Sequence, residues 1–168
     1  MMTQSRKDNP DVILTSDASG SWGCAAFSGS EWFQFEWSSS TAAYQITVKE
    51  LLPIVMAMAI WGPQWHNKSI LSRCDNEAVV CILNTGTSKD PTVMGLMRCL
   101  HFITAKFNIL LSAVHLAGKA NGLADALSRN NHTLFLDNYP QANRKPSPIP
   151  AALLDLLVHS RPDWTSQS

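Results

Sequence analysis

The chain opens with three stretches of strand character. "VILTSDAS" (12–19) is a β-branched run ending in turn residues, and it predicts a strand. "WGCAAFS" (22–28) follows a short Ser/Gly turn and predicts its partner. In "EWFQFEWS" (31–38) charged or polar residues interleave with aromatic ones from Glu31 to Trp37. That period of two predicts a half-buried strand, with the preceding Gly-Ser link closing a hairpin. The pattern then changes to that of a helix. "TVKELLPIVMAMAIW" (47–61) places Leu51, Val55 and Met58 on one face, with Leu52 and Ala59 beside them. Thr47 and Glu50 form a T-x-x-E start signal. Pro53 predicts a late start or a mild kink, because proline past the first turn removes a helix hydrogen bond.

"WGPQWHNK" ends that helix, "SILSRCD" predicts a fourth strand, and "NEAVVCILN" a short helix after it. "TGTSKDP" reads as a loop, and "PTVMGLMRCLHFITAKF" as a longer helix with Pro91 in its first turn. "NILLSAVHL" predicts a fifth strand and "ANGLADALSR" a last helix. The order βββ-α-β-α-α-β-α is that of an α/β mixed sheet, its first three strands antiparallel, with helices on both faces. Residues 1–10 read as a polar, flexible lead and 11–131 as the folded domain. Residues 132–168 read as a proline-rich linker or tail with a short helix in "AALLDLLVHS", docked by Leu153, Leu154 and Leu157.

Composition narrows the class. The 168 residues are 45% hydrophobic and 15% charged, enough for one domain with a well-buried core. No apolar run is expected to reach the roughly 20 residues of a membrane span. "LLPIVMAMAIWG", the longest, fits a buried core helix. The first ten residues lack an apolar signal core, so an intracellular protein is expected, in cytoplasm or nucleus. The four cysteines (Cys24, Cys74, Cys81, Cys99) have no paired or metal-ligand spacing and are expected as reduced, buried thiols. Formal net charge is zero, which argues against gripping nucleic acid by bulk electrostatics alone. Nucleic acid held by a few groups and bridging cations remains open.

Four acids interrupt segments that are otherwise apolar or small. Asp17 ends the first strand, Glu50 sits in the first long helix, Asp75 ends the fourth strand, and Asp125 lies in the last helix. If the first and fourth strands pair in parallel, Asp17 and Asp75 stand side by side. Clustered carboxylates repel one another and raise each other's pKa. A hard divalent cation with oxygen ligands removes that cost. A pair of such cations about 3.5–4 Å apart can activate a water and stabilise the leaving oxygen of a phosphodiester. An all-carboxylate set without Cys or His therefore points to Mg²⁺ or Mn²⁺ and phosphoryl transfer.

"TSDASGSWGCAAF", "ITVKELLPIV", "RCDNEAVVCILN" and "HLAGKANGLADALSRN" together resemble the ribonuclease H domain of retroelement reverse transcriptases, gypsy-like and DIRS-type elements above all. The resemblance covers roughly residues 11 to 131, and the four motifs in order carry it. The tail is similar to the segment that links this domain to a tyrosine recombinase in DIRS-type polyproteins. The resemblance implies a ribonuclease H-like fold, a five-stranded sheet in the order 3-2-1-4-5. It also implies Mg²⁺- or Mn²⁺-dependent hydrolysis of the RNA strand of an RNA–DNA hybrid, with two ions held by Asp17, Glu50, Asp75 and Asp125. A reverse transcriptase domain in the parent polyprotein is the implied partner, and no membrane is involved. Some members carry a mobile histidine before the last acid that helps product release. His115, ten residues before Asp125, has that spacing, and Lys119 takes its place in another alignment. A basic helix-loop extension is not evident, so weak activity of the isolated chain is expected.

Plainer readings stand beside these. Glu50 could serve only as the capping-box acid of Thr47, and Asp17 as a turn residue before Ser19-Gly20. Asp75 or Asn76 could cap the helix that follows; Asn76 can do that and leave Asp75 free. Asp125 alone would read as a solvated helix position, and Glu77 as a surface acid. Asn121 suits a helix start or turn, or contact with the hybrid. Ser16, Ser19, Asn76 and Lys119 are further candidates for nucleic-acid contact. Trp22, Trp32 and Trp37 suit sheet packing better than base stacking. The rival class is an inactive nucleic-acid-binding or scaffold domain; another nuclease or transposase of the same fold class is a third reading.

Overall fold

The computed structural model describes residues 9–158, with side chains through Leu154. Strands β1 (Val12–Ala18), β2 (Gly23–Ser28) and β3 (Glu31–Glu36) form the antiparallel half of one sheet. β4 (Ser69–Cys74) and β5 (Leu110–His115) continue it in parallel on the other side of β1. The five strands lie in the order β3-β2-β1-β4-β5. The β2–β3 link is two residues long, and Gly29 takes φ +58°, as the first position of a tight primed hairpin turn requires. Gly23 is needed for another reason: a Cβ there would run into the Phe35 carbonyl across the strand pair.

Helix α1 (Ser39–Ala42), α2 (Ile46–Trp61), α3 (Glu77–Thr85) and α4 (Pro91–Lys106) follow in chain order. α2 is buried from Val48 through Met58, the mark of a helix packed on all sides, and it runs through Pro53 without a break. It also starts two residues earlier than the Thr47–Glu50 signal predicts. Its N-cap is Gln45, which makes no side-chain cap bond, so Glu50 is the fifth helical residue and too deep to cap anything. The segment Ile46–Trp65 has, over its 20 residues, the length and mean hydropathy of a membrane span, although Lys49, Glu50 and Gln64 interrupt its apolar run, and it is mostly buried as the centre of the fold. α1 was not predicted; Ser38 and Thr41 hold it by a reciprocal cap.

α3 and α4 follow their caps. Asn76 Oδ1 accepts from Val79 N at 3.0 Å, and Gly86 ends α3 at φ +79°. Asp90 Oδ1 accepts from Thr92 N and Val93 N, with Pro91 as the first helical residue. The Asn84 amide exchanges two 2.9 Å bonds with the backbone of Ala113, which fastens α3 to the edge strand β5. α2, α3 and α4 enclose the main core, with Leu14, Phe33, Leu51, Met56, Ile70 and Leu96 all at its centre.

The opposite face carries α5 (Gly122–Ser128) and α6 (His132–Asn138). A second core gathers Ala25, Trp32, Leu127 and Phe135 there. β3 is therefore covered on both faces rather than half-buried: Phe33 and Phe35 face one core and Trp32 the other. Residues 132–154, expected outside the fold, pack on it. Phe135 is fully buried, and Tyr139 Oη donates to Gly29 O at 2.7 Å. Beyond them the chain crosses β3: Asn143 N donates to Ser30 O, Trp32 Nε1 to Asn143 O, and Ser147 N to Trp32 O. Prolines in such a strap set an extended path, which is why its composition resembles a free linker. α7 (Ala151–Val158) follows, with Leu153 and Leu154 against the main core; the side chain of Leu157 lies outside the described residues.

Candidate active site

Parallel pairing of β1 with β4 aligns Thr15 with Arg73, so both strands deliver their next acids to the same end of the sheet. Asp17 is in β1, and Asp75 directly follows the last residue of β4. α2 crosses that end and contributes Glu50. Asp17, Glu50 and Asp75 each offer a carboxylate oxygen, all within 4.8 Å of one another. Asp17 and Glu50 are 4% and 5% exposed, while Asp75 is half-buried. Asn76 takes the capping of α3 and leaves the Asp75 carboxylate free of that task.

Burial and mutual repulsion shape these acids. Desolvation, then the charges of Asp17 and Asp75, push Glu50 up to about 9. Desolvation and the charge of Asp75 push Asp17 up to about 7, against a hydrogen bond from Ser128 that lowers it. Burial also raises the nearby Cys74 thiol to about 11, which keeps it protonated. Cys24 is buried likewise, whereas Cys81 is exposed, contrary to the expectation that all four thiols are buried. Glu50 Oε2 is buried with no hydrogen-bond partner among the described residues. An orphaned carboxylate oxygen among two other acids, with no nitrogen or sulfur ligand, is a donor set suited to a hard divalent cation.

Asp125 is close but apart. It acts on Asp17 electrostatically, yet is not among the three that gather. Its Oδ1 accepts from Arg129 Nε at 2.9 Å in a pair open to solvent. The remaining predicted residues divide by burial. His115 and Lys119 are exposed; His115 is level with Cys74 across the β4–β5 pair, and Lys119 lies in the 3₁₀ turn Gly118–Asn121. That turn passes beside Asp75, since a Cβ at Gly118 would lie 4.0 Å from Asp75 Oδ2. Asn121 is buried, and its Nδ2 donates to Ser16 O at 3.2 Å, so it braces β1 next to Asp17 rather than facing outward. Ser19 is buried too: its Oγ donates to Ser128 O and accepts from Trp22 N. Ser16 Oγ is buried without a partner among the described residues. Trp37 is half-buried, donates to Ser19 O, and lies 5.4 Å from the Lys49 ammonium over its ring.

Two residues escaped the sequence reading. Ser128 Oγ donates to Asp17 Oδ2 at 2.9 Å, and Arg129 holds Asp125. The available signal was the "ADALSR" string, which puts a serine and an arginine three and four residues after the acid.

Solved structures share this architecture. Ribonuclease H1 from Halobacterium salinarum superposes with a TM-score of 0.52 at 16% identity, covering 73% of this chain and 97% of its own. The N-terminal ribonuclease H domain of Rv2228c from Mycobacterium tuberculosis, solved as a maltose-binding-protein fusion, gives 0.53 at 14%, covering 77% and 99%. LC11 ribonuclease H1, solved in complex with an RNA/DNA hybrid, gives 0.52 at 18%, covering 74% and 99%. The fold is ribonuclease H-like. Its five-stranded mixed sheet has the strand order read above, with helices on both faces. No protein-family model and no curated protein matches the sequence.

Proposed function

We propose that the chain is a divalent-metal-dependent endonuclease that hydrolyses the RNA strand of RNA–DNA hybrids, the ribonuclease H part of a retroelement polyprotein. The observation that carries this reading is the gathering of Asp17, Glu50 and Asp75 at one end of a ribonuclease H-like sheet. Support also comes from a neighbour of the same fold that was crystallised with an RNA/DNA hybrid. In this reading the three acids hold Mg²⁺ or Mn²⁺, and Asp125 joins them from α5. Two such ions, when bound, stabilise the entering and departing oxygens at the phosphodiester and let the carboxylates ionise together.

The chain's own groups do the rest. Asp17 and Glu50 lose their protons as the site is loaded, since burial first and then neighbouring carboxylates hold both above the ordinary carboxylate range. His115, exposed at the end of β5, assists product release, with Lys119 as the alternative group for that role. In this reading Asn76, which follows Asp75 in the chain, and Lys119, in the turn that passes beside Asp75, contact the nucleic-acid backbone. Ser19 and Asn121, both buried, act by holding β1 in place. The zero net charge supports a division of labour in which a reverse transcriptase domain supplies most of the grip.

The test is a substrate panel with Mg²⁺ and then Mn²⁺. Cutting of the RNA in a hybrid, with single-stranded RNA and duplex DNA left intact, is the expected result. Cutting of duplex DNA in preference to the hybrid would instead favour a nuclease or transposase of another kind on the same fold.

A further inference from the structure

The last turn of α5 touches the site twice, through consecutive residues. Ser128 is fully buried, and its carbonyl accepts the Ser19 hydroxyl at 2.7 Å, which fixes the end of the helix to the β1–β2 turn. From that anchored position its Oγ lies 2.9 Å from Asp17 Oδ2 and 2.9 Å from the Asp125 carbonyl. A serine hydroxyl has one proton to give. An ionised carboxylate is the stronger acceptor, so the proton goes to Asp17 whenever Asp17 is charged. The next residue, Arg129, donates from Nε to Asp125 Oδ1 at 2.9 Å. Both partners of that pair are open to water, at 60% and 47% side-chain exposure.

The two contacts have opposite consequences for a cation. A carboxylate aimed by a buried hydrogen bond keeps its orientation before and after loading, and such outer partners raise metal affinity. A carboxylate already paired with a guanidinium must exchange that partner before it can serve a cation. We propose that Ser128 and Arg129 are opposed positioning residues. Ser128 aims Asp17 inward and favours cation binding; Arg129 holds Asp125 away from the other three acids and restrains it. This rests on the functional reading above, because it assumes a cation at the Asp17–Glu50–Asp75 cluster. It adds to that reading a control on the fourth acid, built into the residue that follows Ser128.

The experiment is Mn²⁺ titration of the full chain by calorimetry at fixed pH and ionic strength, with no nucleic acid present. The variants are Ser128→Ala, Arg129→Gln and, as a control, Ser72→Ala, whose hydroxyl is buried in β4 without a partner among the described residues. Ser128→Ala is expected to weaken Mn²⁺ binding by about 10-fold or more. Arg129→Gln is expected to tighten it by about 1.5- to 5-fold, the worth of an exposed ion pair. Ser72→Ala leaves the affinity at the parent value. Opposite shifts from adjacent residues cannot come from general loosening of the fold. If Ser128→Ala does not fold, Ser128→Cys, close in size and a weak donor, takes its place with the same expectation. Equal affinities across the variants, or shifts of the same sign, overturn the inference while the cation site stands. A folded parent that binds no Mn²⁺ overturns the functional reading and this inference with it.

Discussion

A carboxyl oxygen buried without a partner costs stability once the group ionises, and Glu50 Oε2 is such an atom among the described residues. Its pKa and that of Asp17 rise from ordinary values of 4.5 and 3.8 to about 9 and about 7 on folding. Above the unfolded values the unfolded chain releases these protons while the folded chain keeps them. The folded state then binds more protons, so stability falls as pH rises. The metal-free protein is therefore expected to melt at a lower temperature near pH 9 than at about pH 5. Mg²⁺ should raise the melting temperature more at the alkaline end, and Glu50→Gln should flatten the slope. Scanning calorimetry in chelator checks this, and a melting temperature that climbs with pH would count against the buried trio. The sequence made the acids legible as residue types that interrupt apolar runs, and Asn76 correctly pointed to a cap that leaves Asp75 free. It misled at Thr47, where a capping signal coincides with a helix that begins at Ile46. The bonds from Ser128 and Arg129 were out of reach, because they depend on how the end of α5 meets β1.

Elements show a different limit. β1 followed from a β-branched run and β3 from its period of two, α3 from the Asn76 cap and α4 from Pro91 in its first turn, because those signals are local. α6 and the strap after it did not, since their stability comes from what they cover. Phe135 packs between Phe27, Trp32 and Tyr139 at ring separations of 5.4, 5.6 and 5.4 Å. Phe135→Ala is expected to cost ~3–5 kcal/mol, read as a lower urea midpoint with an unchanged slope. A shift within error would mean that α6 is dispensable to the fold. On the other strand pair, Gly23→Ala drives a methyl group toward the Phe35 carbonyl. Backbone cannot yield as a side chain can, so a loss of ~1–3 kcal/mol is expected by the same measurement. An unaffected midpoint would show that β2 and β3 separate there without cost.

At the scale of the whole molecule, charge and topology set what the site can do alone. The connection from β3 through α2 lays β4 beside β1 and brings two strand ends and one helix to a single point, and that convergence turns scattered acids into a cluster. With net charge zero, long-range attraction to nucleic acid is weak. Hybrid binding by the parent chain in chelator, followed by anisotropy against salt, should show a shallow slope, below that of about six phosphate contacts. A steep slope would point to a basic surface that composition does not reveal, and would count against the proposal that a polymerase domain supplies the grip. The most direct measurement compares the parent with Asp75→Asn on a labelled RNA–DNA hybrid in Mg²⁺ and in Mn²⁺. Cutting by the parent, and a loss of at least about 100-fold in the folded variant, is the expected result. A folded, metal-binding parent that leaves the hybrid intact, or a variant that cuts as well as the parent, would contradict it.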